Sequence, residues 1–355
     1  MWQRIFSSSK GPSPETPLAR GSPQQADDPD LTPLYQSWHE FNTTTAQWET
    51  VPNAVEYVPP QNFSQQTVDE DRMTLATWNV DAFSPLPNDR LSAILSRMLD
   101  QAPAPDIIFL QEVCKPMVPF IMQDERIRSG WYSSEKDTVQ WRGQLFATMV
   151  LISKSRFGHL GKTASGILGR VSRIKYRTRY GRDALCSEIL LPTSTSNPNP
   201  GQPAFKRIQL VNVHLDSLAV TPSRRPHQLS VVAKLLHNAG HGLVAGDFNP
   251  VLPEDGTLIE ENKLEDAWKA LRGEEPGYTW GVDGTEPFPP NRMDRVAMVG
   301  LTPLHVEVMH PETIALPKSD NAQNRAGKEG VEAEKEQTVP WSDHSGLKCT
   351  FTIDG

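Results

Sequence analysis

The feature that most constrains this chain is a recurring unit: a short apolar run that stops at a side chain capable of chemistry. In LVAGDFNP, Leu243, Val244 and Ala245 reach Gly246 and deliver Asp247 and Asn249, two residues apart. MTLATWNV carries Asn79 at its end with Asp81 just beyond, and DIIFLQ (106–111) runs into Glu112. RIQLVNVHL brings His214 with Asp216 behind it. RMDRVAMV carries Asp294 near its start, and WSDHSGL sets Asp343 and His344 ahead of the run LKCTFTI. FATMVLIS and ALCSEILL add further runs of the same kind. Runs of this length, rich in Val, Ile, Leu and Phe, read as strands.

Helices separate some of them. Asn88 or Asp89 is placed to cap a helix with Leu91, Ile94, Leu95, Met98 and Leu99 on one face. A second helix starts near Pro226 and runs through Leu229, Val232, Leu235 and Leu236 to Gly240. A third covers LEDAWKAL. Many strands with fewer helices predict an α+β fold: two packed, mostly antiparallel β-sheets flanked by helices, a four-layer α/β sandwich. Residues 1–30, rich in Pro, Ser, Gln and Asp, read as a disordered tail. Residues 31–70 hold Tyr35, Trp38, Phe41 and Trp48 and read as an arm packed on the domain, which spans 71–355. The charged stretch at 315–338 reads as a flexible insertion before the last strand.

Composition excludes several classes. A net charge of −8 makes the whole molecule no magnet for polyanions. Three widely spaced cysteines offer neither a disulfide framework nor a zinc site and suit a reducing, intracellular setting. Cys114 and Cys186 read as buried packing residues. No apolar run has the length of a membrane span. The Ser-rich start with Arg4, Lys10 and Arg20 is compatible with a mitochondrial presequence.

Each polar residue at a strand end has an ordinary reading when taken singly. Asn79 fits a turn, His214 a hydrogen-bonded core histidine, Asp247-Phe-Asn249 an Asx turn, and Asp343-His344 a loop turn. Glu112 behind an apolar strand is harder to dismiss, because a semi-buried carboxylate needs a partner or a metal. If the strands lie side by side, these ends converge on one rim. The set then holds carboxylates, two amides and two imidazoles, with no Cys or Ser nucleophile. Hard oxygen donors with few imidazoles suit Mg²⁺, or Mn²⁺, rather than Zn²⁺. Phosphoryl chemistry with water as nucleophile follows. Elsewhere, RVSRIKYRTRYGR packs six basic residues and two tyrosines into thirteen positions. It reads either as a phosphate-pairing, base-stacking surface for single-stranded nucleic acid or as a solvated face.

The motifs TWNVD, LQE, NVHL, GDFN, MDR and SDH, in this order, resemble the endonuclease/exonuclease/phosphatase superfamily, whose fold is DNase I-like. Over residues 71–353 the chain is most similar to the eukaryotic 5′-tyrosyl-DNA phosphodiesterases, sharing HLDS followed by SRRPHQL, RYGRDALC, and DAW with GYTWG. It departs from them at Asp216, where Glu is usual, and at Phe248, where Thr is usual. It also shows no ubiquitin-binding helical module in the tail. NVHLDS argues against an abasic endonuclease. The resemblance implies a magnesium-dependent, nuclear or cytoplasmic phosphodiesterase that removes 5′ adducts from single-stranded DNA ends.

In plain terms, the expectation is a monomer that needs Mg²⁺, with Mn²⁺ as a substitute. The other readings are a superfamily member acting on RNA 3′ ends or on phosphoinositides, and a non-catalytic binding domain.

The resemblance also implies roles. Glu112 binds the cation with Asn79 at or near it, Asp343 joins through water, and Asp81 is an additional candidate ligand. Asp247 deprotonates the attacking water, which Asn249 holds. His214 and His344 donate to phosphoryl oxygens, and Asp294 keeps His344 charged and aligned. Arg182 and Arg225 meet phosphate. Trp280 in GYTWG reads either as an aromatic wall for a base or as a core tryptophan.

Overall fold

The apolar runs become strands whose two faces both meet hydrocarbon, which is why they show little alternation. Met73 and Leu75 face the core between two sheets, while Ala76 and Trp78 face helices on the outside. Ile107 and Phe109 divide from Ile108 and Leu110 in the same way, as do Leu243 and Ala245 from Val244. The computed structural model describes residues 31–52, 72–141, 143–159, 165–192, 205–317 and 337–353. The expected tail, the second part of the arm and most of the expected insertion lie outside these residues.

The arm supplies β1 (Leu34–Gln36), β2 (His39–Asn42) and β3 (Gln47–Thr50). The domain proper begins with β4 (Arg72–Asn79), crosses over α1 (Pro87–Leu99) to β5 (Ile107–Cys114), and continues through α2 (Met117–Gln123), α3 (Glu125–Gly130), β6 (Trp131–Ser133), β7 (Phe146–Ser153) and β8 (Phe157–Gly158). Strands β9 (Gly166–Lys175), β10 (Asp183–Pro192) and β11 (Phe205–His214) lead over α4 (Arg225–Ala239) to β12 (Gly242–Asp247). After α5 (Leu258–Glu261), β13 (Glu265–Asp266) and α6 (Ala267–Arg272) come β14 (Asp294–Val299), β15 (Leu301–Met309), a ribbon of β16 (Thr313–Ala315) and β17 (Thr338–Pro340), and β18 (Gly346–Ile353).

One sheet has the order β1-β9-β10-β11-β12-β14-β13 with β8 beside β9, and the other β15-β18-β4-β5-β7-β6-β2-β3. Most pairings are antiparallel, as expected. At the centre of each sheet lies one parallel pair, β4·β5 or β11·β12, joined over a helix. Helices α1, α2 and α3 pack on the outside of one sheet and α4 and α5 on the other, completing four layers. Because the two halves share this plan, both parallel pairs end at the same rim.

Three details differ from the expectation. Helix α1 begins at Pro87 behind Leu86, which adopts a left-handed conformation at φ 55°, so neither Asn88 nor Asp89 caps it. Strand β15 was not anticipated: Pro303 and exposed Thr302, Leu304 and His305 interrupt its apolar residues, as an edge strand permits. The first six residues of the basic stretch at 170–182 belong to strand β9, and Arg173 points into the protein. Its guanidinium donates to Glu135 Oε1 (2.7 Å), Asp183 Oδ1 (2.9 Å) and Thr148 O (2.8 Å).

The described part of the arm touches both sheets. β1 extends one sheet beside β9, and β2 extends the other beside β6. Trp38 is buried and its indole N–H donates to Gly169 O (2.9 Å). Burial and the nearby Lys136 press the His39 imidazole down to about 4, against the pull of Asp137. The folded arm therefore refuses a proton that the unfolded chain accepts near the ordinary value. Stability should hold above pH 6.5, fall as pH drops towards 4, and level off below. Denaturant midpoints measured across that window should fall more steeply for the wild type than for His39→Gln.

Candidate active site

Beneath the rim the two sheets are joined by a buried polar bridge. Gln111 Nε2 donates to Thr77 Oγ1 (3.0 Å) and, across the sheets, to Asn212 Oδ1 (2.8 Å). Asn212 Nδ2 donates to Leu110 O (3.1 Å) and Met149 O (2.9 Å). Glu112 directly follows one member of this bridge, and His214 lies two residues beyond the other.

Strand pairing aligns much of the rest. His214 pairs with Asp247 across β11·β12, and Asp247 with Asp294 across β12·β14, so the three stand in register on adjacent strands. Glu112 sits where the β5·β7 register shifts, with φ 58°, and this irregularity re-aims its carboxylate. Asp81 and Asn249 also have positive φ, 54° and 48°. Such backbone costs on the order of 1–3 kcal/mol per residue and persists only where surrounding contacts hold it.

At the centre, Asp247 Oδ2 accepts from Asn79 Nδ2 (3.2 Å) and lies 3.3 Å from His214 Nε2 and 3.9 Å from His344 Nε2. Its Oδ1 accepts from Asn249 N (2.9 Å). Asn249 Nδ2 donates to Leu215 O (3.2 Å). Burial lifts the Asp247 carboxyl to about 7, Asp294 adding to the rise and His344 opposing it. His344 Nδ1 meets Asp294 Oδ2 at 2.8 Å. Burial works against charging His344, but Asp294, Asp343 and Asp247 together hold it well above its ordinary value. The imidazolium is thus the positive centre of the group.

His214 is different. Burial, reinforced by Arg182 and His344, keeps it well below its ordinary value and therefore neutral. Arg182 Nη2 lies 3.1 Å from Nε2 and can only donate, so that nitrogen accepts and the proton belongs on Nδ1. Arg182 Nη2 also donates to Ser217 Oγ (3.1 Å), and His214 Nδ1 is buried without a hydrogen-bond partner among the described residues. The Arg182 guanidinium is stacked 4.8 Å from the centroid of Phe146.

Glu112 Oε2 accepts from Ala82 N (3.0 Å), while Oε1 makes no hydrogen bond among the described residues and lies 3.9 Å from His214 Nε2. Burial pushes this carboxyl up, and Asp81 adds to the rise. Asp343, exposed at the rim, accepts from the Trp280 side chain and is repelled by Asp81 and Glu112. A carboxylate oxygen left open, an amide and a second carboxylate make an all-oxygen donor set that fits a hard divalent cation. Asp247, Asp294 and His344 also bring potential ligand atoms within 4.8 Å of one another. There the imidazolium already supplies the positive charge, which leaves Glu112, Asn79 and Asp343 as the residues that could hold a cation.

Two expected site residues do other work. Asp81 spends Oδ1 on Phe83 N (2.9 Å) and Ser84 N (3.2 Å), and its Oδ2 faces Arg90 at 3.6 Å, so it shapes the loop instead of serving as a ligand. Arg225 does not reach the phosphate position. It is buried, with Nε donating to Asp255 Oδ2 (2.9 Å) and Nη1 to Asp216 O (2.7 Å) and Leu218 O (3.0 Å). Gln228 joins it by donating to Asp216 Oδ1 (2.9 Å) and accepting from Asp216 N (3.0 Å). SRRPHQL is therefore a clamp on the loop after β11. Trp280 is half-buried and bridges the backbones of Asn291 and His344. Sequence reasoning also missed Gln111, Asn212, Phe146, Ser342 and Arg90, whose value depends on partners distant in the chain.

The family model for the endonuclease/exonuclease/phosphatase family matches residues 76–344. The chain belongs to this family. It is accordingly a metal-dependent hydrolase of the endonuclease/exonuclease/phosphatase type. No curated protein matches it. Among solved structures it is similar to D. rerio TDP2 complexed with a single-strand DNA product, at 22% identity and TM-score 0.54, over 79% of this chain and 99% of that one. C. elegans TDP2 is similar at 18% identity and TM-score 0.53, over 79% and 75% of the two chains. The human nocturnin catalytic domain with bound sulfate is similar at 17% and 0.50, over 83% and 100%. At these identities the likeness speaks for the fold.

Two substitutions test the geometry. Gly246 has φ 130°, and a Cβ there would lie 2.1 Å from Val213 O, so Gly246→Ala should displace Asp247 and lower both thermal stability and activity. Asp294→Asn should cut turnover about 10²–10³-fold and also lower the melting temperature, since the buried His344 would lose the partner that keeps it charged.

Proposed function

We propose that the chain is a Mg²⁺-dependent phosphodiesterase that removes 5′-tyrosyl-type adducts from DNA ends. The observation that carries this reading is the opposition of Asp247, a carboxyl near neutrality, to the charged His344 and to the open oxygen of Glu112. A base whose proton affinity lies near ambient pH both takes and releases the proton of water efficiently. Asp247 would take that proton, with Asn249 beside it to orient the water. His344, held by Asp294, and Arg182 would donate to the phosphoryl oxygens as charge develops. Glu112, Asn79 and Asp343 would hold the cation, which supplies Lewis-acid stabilisation when bound.

Arg182, together with the more exposed Arg177 and Arg179, gives the acidic molecule a local basic edge beside the site. Trp280, half-buried beside Asp343, would offer an aromatic wall for a base. This combination suits a single strand leading away from the scissile phosphate. The D. rerio TDP2 structure with its single-strand DNA product supports the same choice of substrate. Among the described residues no helix is long and apolar enough to cross a membrane, and all three cysteines are free and buried. An intracellular site of action, nuclear or cytoplasmic, fits the proposed substrate.

A 5′-phosphotyrosyl oligonucleotide, a 3′-tailed RNA and a phosphoinositide should be assayed with Mg²⁺ and with EDTA. We expect turnover of the first alone, and its loss with EDTA. Turnover of the lipid alone, or of the RNA alone, would overturn the DNA reading. Asp247→Asn should lower turnover at least 10²-fold.

A further inference from the structure

Arg90, on α1, is completely buried, and its guanidinium is surrounded by backbone carbonyls. Nε donates to Pro85 O (2.8 Å), Nη1 to Val80 O (3.0 Å) and Trp341 O (2.6 Å), and Nη2 to Asp81 O (2.6 Å) and Ser84 O (3.1 Å). A guanidinium has five N–H groups, and here five carbonyls receive them. Four belong to the loop between β4 and α1, and the fifth to the segment before β18, 251 residues away in the chain.

Both gripped segments govern the cation ligands. The first delivers Ala82 N–H to Glu112 Oε2 (3.0 Å). The second continues from Trp341 into Ser342, whose hydroxyl donates to Asn79 O (2.6 Å) and accepts from His344 N (3.0 Å), and then into Asp343. Glu112, Asn79 and Asp343 are thus each held by a stretch of backbone that Arg90 grips. Packing α1 onto the sheet requires only an apolar residue at this position, and a buried cation is an expensive substitute. Five carbonyls drawn to one planar fork also fix two loops relative to each other, which an apolar residue cannot do.

We propose that Arg90 is the positioning residue of the cation site, setting the spacing of its oxygen donors before the ion arrives. This rests on the assignment of Glu112, Asn79 and Asp343 as cation ligands. The fork geometry is what matters, because lysine carries the same charge with only three donors and no plane. Arg90→Lys leaves at least two of the five carbonyls without a bond. The two acidic loops then lose their mutual register, and the donors are no longer preorganised.

The test is Mn²⁺ binding to the full chain, read from the free-ion electron paramagnetic resonance signal with no substrate present. Wild type, Arg90→Lys, Ser342→Ala, Asp81→Asn and Glu112→Gln are compared, with circular dichroism and melting temperature as controls. Arg90→Lys should raise the Mn²⁺ dissociation constant at least tenfold with secondary structure retained. Its activity should return towards the wild-type level as Mg²⁺ is raised. Ser342→Ala, which loosens one gripped segment and leaves Arg90 in place, should shift the constant in the same direction and serves if Arg90→Lys does not fold. Asp81→Asn keeps the loop cap and removes only the charge facing Arg90, so its effect should be several-fold smaller. A lowered melting temperature with an unchanged constant would overturn the proposal, and so would an Asp81→Asn effect as large as that of Arg90→Lys. Unchanged binding in Glu112→Gln would instead show that the cation ligands are misassigned.

Discussion

The hydrogen bond from Gln111 to Asn212 ties the two sheets together directly under the rim, and the geometry of the site depends on it. Sheets packed through hydrocarbon alone can slide, because dispersion and burial have no preferred direction. A directional bond between two fully buried amides has one good geometry, and leaving either unpaired costs about 1–3 kcal/mol. Since Glu112 and His214 follow these amides closely in their strands, fixing one amide against the other fixes the proposed cation ligand against the neutral histidine. The close approach at Gly246, where a side chain would strike Val213 O and crowd Gln111, carries the same constraint on to Asp247.

Charge in the site is then set by what each group faces. Two imidazoles similar in sequence context end in opposite states. His344 is held by Asp294, Asp343 and Asp247 and stays protonated, whereas His214, though 3.3 Å from Asp247, also faces Arg182 and the charged His344 and stays neutral. Burial opposes charge on both, so their neighbours decide the difference. The carboxylates show a parallel contrast: Asp294 is spent on His344, while Asp247 retains a proton affinity close to neutrality.

How much of this was legible beforehand follows from the range of each interaction. The strands were readable because an apolar run buried on both faces is a local signal, and the site residues because they stand where those runs stop. The sheet pairing was not, because nothing in MTLATWNV or RIQLVNVHL states which run lies beside it. Arg225 and Arg173 look like any arginine near a basic stretch, and only Asp255, Glu135 and Asp183, distant in sequence, turn them inward. Asp81 was misread for a different reason: one of its oxygens is claimed by backbone N–H groups only two and three residues on, a local turn that competes with ligation. Arg90 drew no notice, since a helix position with one charged residue among leucines reads as a solvent face.

The N-terminal arm has a bearing on where this protein can be cut. Its three strands complete both sheets, β1 on one side and β2 with β3 on the other, and Trp38 plugs the gap between them. The segment matched by the family begins well after them, at residue 76. A fragment trimmed to that segment would bare unpaired backbone along two margins at once and leave an oily socket open, inviting association with its own kind. For this chain, the smallest unit that can stand alone in solution is larger than the unit its relatives define.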